Sequence, residues 1–509
     1  MKRILSILLA AALFCAAILP AYAQLDASVE AQGADPRTAD VSMYPTITLV
    51  GGSHILYYDE FGPDKRIVYN PDTAGDVVME YLPKLLEPLR KLDLNGVVDI
   101  AKEAMYKIFG ETAMDENGES IMDNISSDVY TRNDSNVNST RVYYSFDFRL
   151  DPMENAVKLH DFVEFLKQKR GLDQFNFMAT SASGSIMLAY MKLYGYDDIA
   201  GLVMNISLHD GISMFEAIGT GDVFLAAEAL GKSKFDVSSM NLPIELQPLL
   251  RILYESGLMD ILSKLTEAVI RTQFDRLYDE IIIPLCFMMP IYWTYVPVDA
   301  YEEAKEFLLK GDPKYARLVE KIDRFHYEVA VHAEGILLEA DKRCKVAVRA
   351  GYGKPSIPVG GTASVQSDGT VETFRASLGA TCAPLQEPFL FFYKQKKDDG
   401  HNHISPDRFV DASTCLFPDQ TWFCYEIPHI WELGYSGWLD WWLASENPTV
   451  FGNEEKYPQY TEMAEKGTYV PRKVEPSSPA LDFLKAIGLG LLKVWRWLLR
   501  LPFFWVKWI

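Results

Sequence analysis

Three side chains of complementary chemistry stand in an order that could build an activated hydroxyl. They are Ser181 in "FNFMATSASGSI", Asp368 in "SVQSDGTVETFRASLGA" and His429 in "WFCYEIPHIWE". A serine attacks a carbonyl only when a base takes its proton, and an imidazole base needs a carboxylate to orient it. Ser181 follows the apolar run "FNFMA" and precedes "MLAYMKLYGY", where a strand would turn sharply into a helix. Such a turn lifts the hydroxyl clear of a sheet at the expense of a strained backbone that only small neighbours tolerate. The usual pattern has glycines two residues either side of the serine; Ala179 and Ser183 occupy those positions here. The Ala182 N–H would open the helix and face an oxyanion at the positive end of its dipole. A plainer reading also fits the stretch: any strand-to-helix turn packed on a sheet wants small residues, and serines cap helices.

Asp368 lies on the turn Ser367-Asp368-Gly369-Thr370 just beyond a possible strand end, and His429 on a loop before "WLDWWLAS". Other residues compete for these roles. His401 and His403 in "DDGHNHISPD" sit in a setting rich in Gly, Asp and Lys that reads as a solvated loop. Two histidines at i, i+2 hold a metal only with further ligands. Asp411 and Asp419 could supply the acid, although turn formation around Pro418 accounts for them more simply. His54, His326 and His332 read as packed or surface residues. No metal and no cofactor is expected.

The elements needed to position these residues alternate. "TITLV" ends at Gly51-Gly52 as a buried strand running into a turn, "RVYYSFDF", "FNFMA" and "GLVMNISL" are further strands, and "KVAVRAGYG" resumes the pattern later. Between them "MENAVKLHDFVEFLKQKRG" reads as a helix with Val157, Phe162, Phe165 and Leu166 near one face, stopping at Gly171. The polar stretch "DENGESIMDNISSDVYTRNDSNVNSTR" reads as a surface loop. Strands alternating with helices predict an α/β fold with a parallel sheet covered on both faces. From Ile212 to about Lys342 the alternation stops and successive helices are expected, among them "MFEAIGTGDVFLAAEAL" and "AYEEAKEFLLKG". Within this block "IIIPLCFMMPIYWTYV" is too short and too interrupted by Pro284 and Pro290 to span a membrane comfortably. It reads as a buried helix, or as the wall of an acyl pocket lined by flexible Met288 and Met289.

The 509 residues, 49% of them hydrophobic, suffice for one large domain with insertions or for two domains. A formal net charge of -21 repels a phosphate backbone, so no nucleic-acid partner is expected. Residues 1–23 carry Lys2 and Arg3, an apolar run from Ile4 to Leu19 and Ala21-Tyr22-Ala23, the pattern of a secretory leader. An exported chain is therefore expected, secreted or at the cell surface. Beyond Cys15, the cysteines Cys286, Cys344, Cys382, Cys415 and Cys424 form no CxxC pair, so a zinc site is not indicated. Two of Cys382, Cys415 and Cys424 are near enough in sequence to pair.

Residues 471–479 read as a stiff linker and 480–509 as a separate tail. On a helix advancing about 100° per residue, Lys485, Lys493, Arg496, Arg500 and Lys507 fall within an arc of about 80°. The remaining surface is apolar, with Trp495, Trp497, Trp505 and Trp508 able to sit at headgroup depth. This predicts a helix lying in an anionic membrane interface, with docking against its own domain or a partner as the rival.

Several of these segments together resemble the α/β-hydrolases of the lecithin-cholesterol acyltransferase-like lipase branch. "TITLVGGSHILYYDE" is similar to its opening strand and glycine turn, and "YYSFDFRLDP" to its Tyr-Asp-Trp-Arg segment. "ATSASGSIMLAYMKLYG" resembles its nucleophile elbow, "VMNISLHDGIS" the strand after it, and "SDGTVETFRASL" its acid turn. The opening turn lacks the usual His-Gly or Pro-Gly. The resemblance implies a mostly parallel hydrolase sheet flanked by helices, with core parts at 24–211 and 343–470 and a large helical cap at 212–342. It implies Ser181 as nucleophile, Asp368 as orienting acid, His429 as base, and backbone N–H groups of Ala182, Gly52 and Ser53 as oxyanion donors. His209 would be structural. The expected substrate is a carboxylic ester, with lipid acyl esters as a candidate class and an acyl-enzyme as intermediate. A peptidase or thioesterase on the same scaffold stays open. The rival from another class is an inactive scaffold acting as a membrane- or partner-binding surface protein, in which the three side chains would not converge or no pocket would reach Ser181.

Overall fold

The computed structural model describes residues 39–49, 55–59, 62–91, 93–127, 132–223, 268–357, 359–360, 364–385, 387–427, 429, 436–465 and 468–476. Its centre is a sheet of eight strands: β1 (Thr46–Leu49), β2 (Arg141–Tyr144), β3 (Phe175–Thr180), β4 (Ile199–Asn205), β5 (Lys345–Tyr352), β6 (Thr421–Tyr425), β7 (Tyr460–Glu465) and β8 (Thr468–Lys473). The spatial order is β2-β1-β3-β4-β5-β6-β7-β8. Seven strands, β1 to β7, run parallel, and β8 turns back antiparallel to β7. The chain therefore has an α/β fold. Pro471, Arg472 and Lys473, expected in the linker, belong to β8. Residues 477–479 of the linker and the whole tail, including Lys493, Trp495, Arg496, Trp497, Arg500, Trp505 and Trp508, lie outside the described residues, as does the leader.

Both sheet faces are covered, which is why the strands read as nearly continuous apolar runs. Every residue of β3, β4 and β5 is buried, and alternation sorts them between the two faces. Phe175, Phe177 and Ala179 of β3 join one core and Met178 the other. Helices Pro152–Arg170 and Ser183–Tyr194 pack together in the first core. Asp151 caps the former, its Oδ1 accepting from Met153 N at 2.9 Å, and Pro152 occupies the first turn, where its missing N–H costs nothing. Gly171 ends it with φ 67°. The buried stripe of this helix runs through Met153, Ala156, Leu159, Phe162, Val163 and Leu166. Val157, expected on that face, is exposed, because small Ala156 and not Val157 meets the sheet.

The second core is built around helix Ser436–Ala444, whose Trp438, Leu439 and Trp442 pack on Met178, Val203 and Ala347. A Cβ on Gly201 would come within 3.3 Å of the Trp442 ring, so glycine there admits the indole. The end of this helix is closed by a buried charge. Lys345 Nζ donates to the carbonyls of Trp442, Leu443 and Ser445 at 3.2, 2.7 and 2.8 Å.

As far as it is described, the chain between β4 and β5 is helical. Helix Ser213–Thr220 ends at Gly221, in the left-handed region at φ 79°; the part of "MFEAIGTGDVFLAAEAL" beyond Val223 lies outside the described residues. "IIIPLCFMMPIYWTYV" is buried as expected, though not as a regular α-helix. Tyr278–Phe287 winds as a wide π-type helix around Pro284, followed by a tight 3-10 segment Pro290–Tyr295. Proline deprives the α ladder of a donor and clashes with the preceding turn, which favours both departures.

Two further expectations change. The polar stretch after Met114 is not a plain loop. Ile125–Ser126 pairs with Leu56–Tyr58, itself paired with Arg66–Tyr69, and Asn133 caps a helical turn at Asp134–Val137. Cys286, Cys344, Cys382, Cys415 and Cys424 are all free, so no disulfide joins the last three. Among the described residues, no helix is long and apolar enough to cross a membrane.

Candidate functional site

The strand order reverses between β1 and β3: from β1 the chain steps out to β2, then returns to add β3 and the following strands on the other side. Crevices at such a switch point, outside the carboxyl ends of the strands, are where open α/β sheets bind ligands. Ser181 directly follows β3 at this point, between the strand and helix Ser183–Tyr194.

Its backbone is strained as the turn demands, with φ 54° at a non-glycine residue. Strain also appears at Ile206 (φ 44°), after β4, and at Glu426 (φ 54°), on the turn leading to His429. The elbow is held by Ser181 N donating to Asn205 O at 3.2 Å and by Ser181 O accepting from Gly184 N and Leu208 N at 3.0 and 2.9 Å.

The missing glycines have a local explanation. Ser183, in the second glycine position, is fully buried and its Oγ lies 2.9 Å from Leu49 O and 2.8 Å from Thr180 O, tying the elbow to β1. Close approach falls one residue later. A Cβ on Gly184 would lie 2.7 Å from Ser207 Cβ and 2.8 Å from Leu208 O. Ala179 is buried, and its carbonyl accepts from Ser207 Oγ at 2.7 Å. The elbow thus places its indispensable glycine at position 184.

Asp368 and His429 arrive from β5 and β6. Asp368 stands on the turn after the short strand Gln366–Ser367, and His429 four residues past the end of β6. Ser181 Oγ is 2.8 Å from His429 Nε2, and His429 Nδ1 is 2.8 Å from Asp368 Oδ2. The other carboxylate oxygen, Asp368 Oδ1, accepts from Thr370 N and Val371 N, each at 2.9 Å. His429 N also donates to Asp368 O at 3.1 Å, so backbone as well as side chain joins the two loops. Because Asp368 Oδ2 accepts from Nδ1–H, Nε2 presents its lone pair to the serine hydroxyl. All three side chains are buried, at 6%, 1% and 7% exposure for Ser181, Asp368 and His429. The arrangement can therefore take a proton from Ser181 while holding the resulting imidazolium against a carboxylate.

Ala182 stands at the start of helix Ser183–Tyr194, whose first N–H groups have no acceptor within the helix. Gly52 and Ser53 lie outside the described residues, as does His54.

The acid turn is braced by a network that sequence reasoning missed. Arg375 Nη1 donates to Asp210 O and Oδ2, both at 2.6 Å, and Arg375 Nη2 lies 3.6 Å from Glu216 Oε2. Glu372, fully buried, accepts from Ser356 Oγ at 2.9 Å and from Ser213 N at 3.4 Å. Burial raises its carboxyl above the usual range, and Arg375 opposes that rise. The "VETFRASL" and "LHDGIS" segments are thus joined by charge, a pairing invisible without the fold. His209 is half-buried beside this network, and desolvation holds its imidazole well below the usual range. Upstream, Arg149 clasps Asp147 through Nε and Nη2 at 2.9 and 2.7 Å, both residues buried.

The remaining candidates do other work. Asp411 accepts from Tyr393 Oη, Lys396 N and Ser413 N, ordering its own turn. His326 is buried and stacks on Tyr301, ring centroids 3.8 Å apart, while His332 is exposed. His401 and His403 do not form a plain solvated loop: His403 is fully buried and, with Asp399 and Asp419, makes a compact cluster. A small cavity of about 20 Å³, lined by Asp151, Ser185, His209, Trp293 and His326 among others, includes none of Ser181, Asp368 and His429. In comparisons with known proteins, no family model, no curated protein and no solved structure matches this chain.

Proposed function

We propose that this chain is a serine hydrolase of the α/β-hydrolase type, cleaving carboxylic esters through an acyl-enzyme. The observation that carries the reading is the continuous contact from Ser181 Oγ through His429 to Asp368, at 2.8 Å in each step, with Ser181 held at φ 54°. In this mechanism His429 Nε2 takes the Ser181 proton as Oγ attacks the ester carbonyl. Asp368 keeps the imidazole oriented and stabilises its positive charge. The oxyanion is met by the Ala182 N–H at the helix start, with the Gly52-Ser53 turn as the proposed second donor. His429 then returns the proton to the leaving alcohol, and water, or a second alcohol in an acyltransferase, releases the acyl group.

Lipid acyl esters are the proposed substrate class, supported by the segment resemblance to the lecithin-cholesterol acyltransferase-like branch and by the basic, aromatic composition of residues 480–509. In the same reading the helical segment 212–342 is a cap that selects substrate, the chain is exported, and its tail holds it at a membrane surface. The test is hydrolysis of p-nitrophenyl esters of increasing chain length by the purified protein. The expected result is ester cleavage that Ser181→Ala and His429→Ala each abolish. Wild-type protein without activity on any chain length contradicts the reading and favours the inactive surface-protein alternative.

A further inference from the structure

We propose that Asp399, His401, His403 and Asp419 form a binding site for one divalent transition-metal ion, with zinc the best match. One ligand atom from each of the four residues lies within 4.8 Å of all the others. His403 Nε2 is 2.9 Å from Asp399 Oδ2 and 3.3 Å from Asp419 Oδ1, and His401 Nδ1 is 3.7 Å from Asp419 Oδ1. Zinc bonds of about 2.0–2.1 Å in a tetrahedron put neighbouring ligand atoms roughly 3.3–3.5 Å apart. The observed separations bracket that value, so small side-chain adjustments would close the four atoms around an ion.

Two further observations point to a ligand. Asp419 Oδ1 is buried and accepts no hydrogen bond, although it faces both histidines. His403, fully buried, is also fixed in its orientation. Gln459 Nε2 donates to Pro418 O and Thr421 O at 2.8 and 3.1 Å, which leaves Gln459 Oε1 to accept from His403 Nδ1 at 3.1 Å. With Nδ1 held by Gln459, Nε2 is the nitrogen directed at the two carboxylates, and a bound ion would replace the proton it donates to Asp399. An orienting acceptor behind a histidine is the usual outer support of a metal ligand.

The surrounding loop is built to hold these positions. Gln395 Nε2 donates to His401 O at 2.7 Å and Gln395 Oε1 accepts from His403 N at 3.0 Å. Asp399 Oδ1 accepts from His401 N at 3.0 Å, leaving Oδ2 for the cluster. Phe451 packs against both imidazoles, with ring centroids 4.3 and 5.7 Å away, and shields one side from water. Two imidazoles with two carboxylates favour zinc over calcium or magnesium, which take oxygen ligands. An ion here would staple the 395–405 loop to the turn Pro418–Gln420 that starts β6, the strand leading to His429. The site stands whether or not the chain is an esterase.

The test uses the full chain, stripped with a chelator, dialysed and titrated with zinc chloride by calorimetry, with metal content read by mass spectrometry. One zinc per chain is expected, with no comparable uptake of calcium or magnesium and a melting temperature several degrees higher with zinc than in chelator. His401→Ala and Asp419→Asn change half-exposed side chains, so both proteins should melt with the stripped wild type in chelator while binding zinc at least tenfold more weakly. Absence of stoichiometric zinc, or equal binding by folded variants, overturns the proposal. In that case His403 is a hydrogen-bond partner of the carboxylates and nothing more.

Discussion

Gly351 and Asp368 approach so closely that a Cβ on Gly351 would lie 2.5 Å from the Asp368 Cβ. The carboxylate reaches His429 only because β5 carries no side chain at that position, while Gly351 O accepts from Thr373 Oγ1 at 2.8 Å and anchors the turn from the other end. Gly351→Ala should displace Asp368 and lower esterase turnover by roughly tenfold to a hundredfold through misplacement alone. Comparing kcat of the folded variant with wild type checks this, and unchanged turnover would show that the contact does not position the acid.

Asp368→Asn keeps the shape of the acid but replaces an acceptor facing His429 Nδ1 with a group that can donate. The imidazole then loses the tautomer that presents Nε2 as a base to Ser181. A fall of about 10³–10⁴ in kcat is expected, with little change in KM. Steady-state kinetics separates the two parameters.

Buried Lys345 donates to three carbonyls at the end of helix Ser436–Ala444. Lys345→Met fills much of the space but leaves those acceptors without their donor. A loss of roughly 2–4 kcal/mol of stability is expected. Urea unfolding of the two proteins measures it.

Burial pushes the Asp151 carboxyl up to about 7. Its acid form is thus favoured in the folded chain, while the unfolded chain ionises near its ordinary value of about 4. The associated stability is fully present below about pH 4 and is lost as pH rises through about 7. Asp151→Asn retains an acceptor for Met153 N and removes the titration. Its stability relative to wild type should therefore rise between about pH 4 and 7, by an amount on the order of 4 kcal/mol, read from the melting temperatures of the two proteins. A difference that stays constant across that range would contradict the assignment.

The parts of this architecture legible in the sequence are those written locally. An apolar strand, a run of tiny residues and a helix make the turn at Ser181 visible, and the alternation of such units predicts the parallel sheet. Helix Pro152–Arg170 carries its own start and stop in Asp151, Pro152 and Gly171. What escaped depends on partners far along the chain. Gly184 and Gly351 matter for what lies against them, Lys345 for a helix about a hundred residues later, and Arg375 for Asp210. The face of helix Pro152–Arg170 was misplaced at Val157 because small Ala156 sits where close packing on the sheet is needed. Asp419 could not be joined to His401 and His403 from spacing, since only the pairing of β6 with β7 brings Gln459 and the turn Pro418–Gln420 beneath the histidine loop.

The central claim is that His429 makes the Ser181 hydroxyl nucleophilic, and covalent labelling by a fluorophosphonate tests it without knowledge of the natural substrate. The account predicts one adduct per chain, mapped by mass spectrometry to the peptide containing Ser181, lost in Ser181→Ala and slowed at least a hundredfold in His429→Ala. Folded wild-type protein that takes no label at Ser181, or takes it equally fast without His429, would contradict the account.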